Sequence, residues 1–594
     1  MAETAPTTLR SDDGEKSHVA TTNASSKASS SDGDAQKRAD GSSVLPTHGG
    51  KDDFDSGYYL SKNYLGSLVA IGLAGMAGVG GFSLIAPVLS YVNADLGPDA
   101  NIVWVSLANT LTSAVMMTLA GRLSDIFGRR YFQIGGTALA LVGCIVGATA
   151  KNVPMLIGAN VLIGSASATQ LSFGYLVAEV VPMKHRYLGL SYVYALLIPM
   201  SGVAPVISTS LIENTTASWR SCYYIMIGIN AAALACWALF YHPPTWDELT
   251  VETFGVAKSR AQRLKQLDYG GLFMLSAGLL LFLMGLSWGG SVYEWKSAAV
   301  LSTILIGGVC LIGFVFYELR CPTSVPLVPM SLFANMGWVA LLMTYSMATS
   351  MYYAFSIVFP TQVAVLYSDE SADMQGWLKC VIGAPPLLGQ IAASLLVTRI
   401  GHIKWQLVAT SALGAALYAA NACVTIDNRN VIVILLCVGG LALGWVDAIC
   451  LASLSVSLKD QSMIGAAIGV ASSVRTTIST AAATIFTTIL NNRLASTIPA
   501  LVPAALLSAG LPSTSVEEFL TVLATAPTEL PEVAGVNATI IEAGIQAYKT
   551  ANANAYSTVY LTTIAFSALG VIFSFLGPEI DSKLTGDVRA RLKT

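Results

Sequence analysis

The sequence predicts an all-α membrane protein that crosses the bilayer many times, and two observations lead to that prediction. Of its 594 residues, 54% are hydrophobic and only 11% are charged, whereas soluble proteins carry about 25% charged residues. Uncharged runs of about 20 residues, the length that spans a bilayer core, recur along most of the chain. These observations exclude a soluble globular protein.

Charged residues divide the chain into 14 predicted membrane helices. They lie near residues 64–92, 101–122, 131–150, 153–178, 187–210, 219–240, 269–288, 297–317, 338–360, 377–397, 406–425, 431–453, 463–490 and 556–577. An even number of spans puts both termini on one side of the membrane. That side has 17 Lys and Arg residues in its loops and C-terminal tail, against seven on the other, so we expect both termini to be cytoplasmic.

Other residue patterns exclude several classes of function. The net charge of −3 gives no reason to expect a nucleic-acid partner. The cysteines form no C-x-x-C pair and the histidines lie in polar segments, so we expect no metal site. Gly50-Lys51 is followed by Asp52, which excludes a phosphate-binding loop there. We therefore expect no cofactor, no catalytic residue and no obligate protein partner.

The most specific motif lies in the predicted cytoplasmic loop between helices 2 and 3. It reads Gly121-Arg-Leu-Ser-Asp-Ile-Phe-Gly-Arg-Arg130. Gly121 allows close helix packing and Gly128 allows a tight turn. Asp125 and Arg129 can bind charges on neighbouring helix ends. Glu179, at the inner end of helix 4, is the expected partner of Arg129 or Arg130, and a proton carrier is the alternative role for this residue. We call Gly121–Arg130 together with Glu179 the latch.

The latch motif resembles the signature of the major facilitator superfamily. The resemblance implies two six-helix bundles around a central cavity, with two inserted helices between them, in a 6+2+6 arrangement. Residues 1–60 are polar and have no apolar periodicity, which predicts a disordered cytoplasmic tail. The organisation implied for the rest is an N-terminal bundle (61–242), a cytoplasmic loop (243–268), the inserted pair (269–320), a C-terminal bundle (321–577) and a cytoplasmic tail (578–594). The latch residues are then parts of a gate rather than of the substrate site.

Several further segments resemble the fungal trichothecene efflux pump family, a 14-helix branch related to drug:proton antiporters. They include Asn160–Gly164, Glu179–Arg186, Ser218–Tyr224, Phe240–Pro244, Leu267–Gly271, Gly285–Gly290 and Pro360–Val363. The chain departs from the antiporters at Asn160, where they carry an arginine, and keeps only Pro205 of their helix 5 pattern. Proton coupling is therefore implied by the family alone.

Two charged residues, Asp447 and Arg475, lie inside predicted membrane helices 12 and 13. A charge at the bilayer centre costs at least about 2.5 kcal/mol, so each one calls for a reason. Their depths differ by about 9 Å, which an arginine bridges only partly. Our hypothesis is that Asp447 is the protonatable coupling site. Arg475 would shift the pKa of Asp447 or bind anionic groups of the substrate. A structural ion pair, or an Asp447 that faces water, is the alternative.

Polar residues in the membrane helices form a second set of candidates for the cavity. They are the amides Asn109, Gln170, Gln362 and Gln390 and the aromatic residues Trp104 and Tyr194. For each, a hydrogen bond between helices is the simpler interpretation.

Two glycosylation sequons, at Asn214 and Asn537, fall on the predicted outer side. The second lies in segment 491–555, which is long for a connection between helices. A passive glycosylated loop is its simplest interpretation, and a structured cap or a selectivity element is the alternative.

These expectations define a fungal plasma-membrane protein whose partners are the lipid bilayer, a small-molecule substrate and protons. It would export a secondary metabolite, mycotoxin or drug by alternating access. Uptake of a ferric siderophore is the nearest alternative, because that related branch shares 14 helices and a long outer loop. From another class, a non-transporting membrane sensor remains open, although the intact latch and the short C-terminal tail argue against it.

Overall fold

The computed structural model describes residues 61–97, 99–243, 268–290, 292–320, 326–458, 463–525 and 527–584, and these are almost entirely helical. The first helices are α1 Lys62–Ser83, α2 Leu89–Leu96, α3 Val103–Phe127, α4 Arg129–Ala148, α5 Val153–Gln170, α6 Phe173–Val180, α7 Arg186–Leu197, α8 Ala204–Asn214 and α9 Arg220–Phe240. The others are α10 Tyr269–Trp288, α11 Ala298–Arg320, α12 Met336–Leu366, α13 Ala372–Lys379, α14 Ala384–Ile400, α15 Ile403–Ala420, α16 Arg429–Val456, α17 Ile464–Ser508, α18 Val516–Thr525 and α19 Ala538–Leu576.

Local sequence explains where several helices begin. The side chains of Asn152, Asp268 and Asn335 accept a hydrogen bond from the backbone N–H of the third residue of α5, α10 and α12, respectively, as N-cap residues do. Between α3 and α4 a single residue, Gly128, turns the chain with φ of 100°, a conformation that favours glycine. The predicted tight turn between helices 2 and 3 therefore lies at Gly128.

The all-α membrane prediction is confirmed by the helices of this structure. Within the described residues, eight helices or contiguous helix pairs are long and apolar enough to cross a membrane, and two bent pairs raise the number to ten. The bent pairs, at 45° and 42°, are the segments before and after Val203 and Gly383. The other four predicted spans coincide with α3, α12, α15 and the part of α17 up to Leu490.

The predicted inserted pair, α10 and α11, packs together as a hairpin, and α10 also packs against α3 and α17. At one end of this contact the indole rings of Trp104 and Trp288 meet edge to face, with centroids 5.6 Å apart. On the other face, large apolar side chains are left uncovered, such as Phe273 (70% exposed) and Val309 (68%). An apolar surface of this kind suits contact with lipid tails.

Segment 491–555 is largely helical, as a structured cap requires. Helix α17 continues to Ser508 and α19 begins at Ala538, with α18 between them. Val502, Leu506, Phe519, Leu530 and Ile540 form a buried apolar core of their own within this segment, which we call the cap. The polar residues after Leu490 show where hydropathy falls, but the helix does not end there. Hydropathy alone therefore misplaces the end of α17 and the start of α19.

Some predicted segments lie outside the described residues. They are the tail 1–60, nearly all of the loop 243–268, and residues 585–594 of the C-terminal tail.

Candidate functional site

A cavity of about 170 Å³ lies between the N-terminal half (residues 61–242) and the C-terminal half (residues 321–577). The wall from the N-terminal half is mostly apolar and includes Val79, Met117, Phe173, Tyr194 and Leu197. The wall from the C-terminal half carries the polar groups of Tyr345, Thr349, Gln390, Asp447 and Arg475. The cavity therefore has two chemically different faces, one from each half.

The carboxylate of Asp447, on α16, is held by neutral donors from two other helices. Gln390 Nε2 on α14 donates to Oδ2 at 2.7 Å, and Thr349 Oγ1 on α12 donates to Oδ1 at 3.2 Å. The side chain remains 14% exposed, at the cavity wall. Hydrogen bonds of this kind stabilise a charged carboxylate inside the membrane, where it would otherwise be costly.

Arg475, on α17, is the charged group that faces Asp447. Its Nη1 lies 3.5 Å from Asp447 Oδ1 and donates to the hydroxyl of Tyr345 at 2.5 Å. The guanidinium carbon also lies 4.6 Å from the centroid of the Tyr345 ring, a cation–π geometry. The difference in depth inferred from the sequence is thus bridged by the arginine side chain, and the two intramembrane charges are in contact.

Only one of the four candidate amides lies at the cavity. Gln390 binds Asp447, whereas Gln170 Nε2 donates to Asn230 Oδ1 at 2.7 Å and Gln362 Oε1 accepts from Tyr560 at 2.9 Å. Asn109 is 5% exposed, with its backbone packed against α5. Gln170 and Gln362 therefore make the hydrogen bonds between helices that the simpler interpretation expects, and Asn109 lies in a helix interface.

Sequence reasoning missed Tyr345 and Thr349, which contact Arg475 and Asp447. Together with Tyr352, another cavity residue, they recur at intervals of four and three residues along α12. That spacing places them on one face of a helix. A polar stripe of this kind within an apolar span was the signal that could have found them.

At the latch, Arg129 and Glu179 form a buried ion pair. Arg129 Nη2 lies 2.6 Å from Glu179 Oε1 and Nε donates to Oε2 at 3.0 Å. The guanidinium carbon also lies 4.2 Å from the centroid of the Tyr175 ring. Arg130 binds elsewhere, with Nη2 donating to the carbonyl oxygen of Ala238 at 2.7 Å, and the side chain of Asp125 lies outside the described part of the structure.

Between the latch and the cavity the two halves are in direct contact. Thr118 Oγ1 on α3 donates to Ser473 Oγ on α17 at 2.6 Å. Nearer the latch, Arg186 Nη1 donates to Ser455 Oγ at 3.1 Å, and the hydroxyls of Tyr187 and Ser453 lie 3.0 Å apart. These contacts join α3 to α17 and α7 to α16, so the halves close together on the latch side of the cavity.

Both sequon asparagines are exposed. Asn214 is the last residue of α8. Asn537 is the N-cap of α19, with Oδ1 accepting from the backbone N–H of Ile540 at 2.9 Å. Asn537 therefore belongs to the cap, whereas Asn214 ends a helix of the N-terminal half.

Comparison of the sequence with known proteins shows the family to which the chain is similar. The family described as "Fungal trichothecene efflux pump (TRI12)" matches residues 28–593. Trichothecene efflux pump TRI12 of Fusarium sporotrichioides is 27% identical over 545 residues, which are 91% of this chain and 90% of that protein. Trichothecene efflux pump TRI12 of Trichoderma arundinaceum is 29% identical over 419 residues, 69% of this chain and 68% of that protein.

The fold has a counterpart among solved structures. The proton:xylose symporter XylE of the major facilitator superfamily aligns with a TM-score of 0.50 at 13% identity, over 89% of this chain and 99% of that one. Identity this low is evidence about the fold alone. From its sequence and its helical architecture together, the chain belongs to the fungal trichothecene efflux pump family and has the major facilitator fold.

Proposed function

We propose that this chain is a secondary active transporter that exports a secondary metabolite, mycotoxin or drug by alternating access, in exchange for protons. The observation that carries the proposal is Asp447, a carboxylate at the wall of a cavity built by both halves and paired with Arg475. The relatives described as trichothecene efflux pumps support outward transport and a trichothecene-like compound as the substrate.

In this proposal Asp447 carries the coupled proton. When ionised, the carboxylate attracts Arg475 and accepts from Gln390 and Thr349. A proton that binds from the extracellular side neutralises Asp447 and weakens its attraction to Arg475. After the halves have moved, the same proton leaves to the cytoplasm and the ion pair forms again, so one proton enters for each turn of the cycle.

The latch is proposed to hold the cytoplasmic side closed. Its buried ion pair, Arg129–Glu179, and the contact of α3 with α17 lie between the cavity and the side that the positive-inside rule makes cytoplasmic. Substrate loading from the cytoplasm then requires that these contacts open. The protein would lie in the plasma membrane with both termini in the cytoplasm.

Replacement of Asp447 tests the coupling. In a deletion strain, cells that express Asp447→Asn should accumulate a labelled trichothecene as the deletion strain does, with normal amounts of protein at the cell surface. Asp95→Asn, which changes an exposed carboxylate away from the cavity, is the matched control and should export normally. Export by Asp447→Asn at the wild-type rate would show that Asp447 carries no coupled proton.

The direction of transport needs a second probe, a labelled ferric siderophore. Under this proposal the deletion strain accumulates more of the toxin and an unchanged amount of siderophore. Lower siderophore accumulation in the deletion strain, restored by expression of the chain, would make the protein an importer.

Asn214 and Asn537 are proposed to carry N-linked glycans, because both are exposed and lie on the proposed extracellular side. On gel electrophoresis, Asn214→Gln and Asn537→Gln should each increase the mobility of the protein by the amount expected for loss of one glycan. Glycosidase treatment of the wild type should remove both glycans. A glycan on neither residue would remove this support for the proposed orientation.

A further inference from the structure

The hydroxyl of Tyr194, on the apolar wall of the cavity, is a buried polar group without a partner in the part of the chain that the structure describes. The residue is 2% exposed, and within the described residues its oxygen makes no hydrogen bond. The ring of Phe173 packs edge to face against it, with centroids 5.9 Å apart, which restrains its orientation. The same cavity is lined from the opposite half by Tyr345, Asp447 and Arg475.

Arg475 is a second group at the cavity, and its contacts described above engage only part of its N–H donors. A guanidinium group has five N–H donors, yet Nη1 alone makes the contacts described above, to Tyr345 and Asp447. In the described part of the chain, Arg475 Nε is buried without an acceptor. Asp447 meanwhile accepts shorter bonds from Gln390 and Thr349, so it does not depend on Arg475 for its hydrogen bonds.

The chemistry of an occupant follows from these two groups. Donors buried without acceptors cost free energy, and a molecule that enters the cavity relieves that cost only if it brings an acceptor. The apolar residues around Tyr194, such as Phe173 and Leu197, suit the hydrocarbon face of the same molecule.

We infer that Tyr194 and Arg475, from opposite halves, form a two-donor site for a hydrogen-bond-accepting oxygen of the transported molecule. The inference rests on the proposed export function and narrows its substrate. The site selects uncharged or anionic amphipathic compounds with a carbonyl, ester, epoxide or carboxylate oxygen at one edge. Cations that lack such an oxygen are poor substrates, because they leave both donors unpaired.

Such a site links occupancy to movement of the halves. An oxygen held by Tyr194 on α7 and by Arg475 on α17 is bound from both sides of the cavity. The substrate therefore favours the conformation in which both donors are close enough to bind its oxygen. A ligand shifts a conformational equilibrium through its differential affinity for the states.

Inside-out plasma-membrane vesicles that contain the full chain test the site with two labelled probes. One is an acetylated trichothecene, a neutral ester, and the other is tetraphenylphosphonium, a cation without oxygen. Tyr194→Phe and Arg475→Lys should each raise KM for the ester about tenfold, with a much smaller change in kcat. The matched controls, Tyr192→Phe on the exposed face of the same helix and the exposed Arg493→Lys of α17, should leave KM unchanged.

The double variant and the cation separate the possible outcomes. If both donors bind one oxygen, KM of the double variant rises by less than the product of the single rises. Unchanged KM in both single variants, a fall in kcat alone, or uptake of tetraphenylphosphonium as efficient as that of the ester would overturn the two-donor site while export stands. Failure of the wild-type vesicles to accumulate either probe would instead count against the proposed export function, and this inference would fall with it.

Discussion

A Cβ atom on Gly121 would lie 2.4 Å from the carbonyl oxygen of Gly465 and 3.1 Å from Cα of Gly469. Gly121 belongs to α3 of the N-terminal half, and the other two glycines belong to α17 of the C-terminal half. The close helix packing that the latch motif predicts at Gly121 is therefore a contact between the halves. Backbone atoms at this distance leave no room for a larger residue.

Gly121→Ala should impair transport without preventing the protein from reaching the membrane. The added methyl group meets backbone rather than a flexible side chain, so α3 and α17 must separate and the latch-side closed state is destabilised. We expect export of a labelled toxin to fall about tenfold or more, the effect of roughly 1.4 kcal/mol. Gly135→Ala is the control, because on neighbouring α4 the new Cβ would have no atom within 4 Å apart from the backbone of its own helix. Equal export by both variants would contradict the prediction.

Glu179→Gln should destabilise the folded protein much more than a matched change at the surface. Both side chains of the Arg129–Glu179 pair are less than 10% exposed, and breaking a buried pair costs about 3–5 kcal/mol. The Arg220–Asp95 pair is 31% and 50% exposed, so Asp95→Asn should cost less than about 1 kcal/mol. Denaturant unfolding of the purified protein in detergent measures both, and similar losses in the two variants would argue against a stabilising latch pair.

The contribution of the exposed Arg220–Asp95 pair to the free energy of unfolding should depend on pH. The Trp219 indole N–H and the Arg220 guanidinium, each 2.9 Å from Asp95 Oδ2, hold the pKa of Asp95 below its usual range. A lowered pKa in the folded state means that the stabilisation is complete above the unfolded value of about 3.9 and is lost as the pH falls through the folded value. Wild type and Asp95→Asn should therefore differ slightly in unfolding midpoint at pH 7 and converge in acid; a difference that grows in acid would contradict this sign.

The charges of the candidate site could be predicted from the sequence, but its neutral partners could not. Asp447 and Arg475 stand out because ionisable residues inside membrane helices are rare and costly. Amides and hydroxyls carry no such penalty, so Gln390 at the cavity and Gln170 in a helix interface look alike in the sequence. Their difference comes from the rotation of each helix, which packing between helices decides.

The cap is a second feature that could be predicted only in part from the sequence. Polar residues near 491 indicate where the chain leaves the membrane, and this inference requires only hydropathy. Whether the helix continues depends on tertiary contacts, such as those of Val502 and Phe519 in the core of the cap. The cap also binds the connection between α12 and α13, since Lys549 Nζ lies 2.5 Å from Asp369 Oδ2, a pairing across 180 residues that no local pattern predicts.

Phe519→Ala should unfold the cap locally and leave the membrane helices folded. The ring is fully buried in the cap core, and loss of a buried phenylalanine costs about 3–5 kcal/mol, a large part of what so small a core supplies. We expect rapid proteolysis within residues 509–537 of the variant. Leu507→Ala, which changes a half-exposed side chain of the same segment, should remain resistant.

Export by the same two variants separates the possible roles of the cap. The cap is a continuation of α17, which carries Arg475, so an unfolded cap removes packing from the far end of the helix that holds the candidate site. If the cap supports that helix, Phe519→Ala lowers export of every compound by the same factor. If it selects substrates, the loss differs between compounds while the remaining export keeps the wild-type kcat. Wild-type export of all compounds by a Phe519→Ala protein whose cap is cleaved would show that neither role is needed for transport.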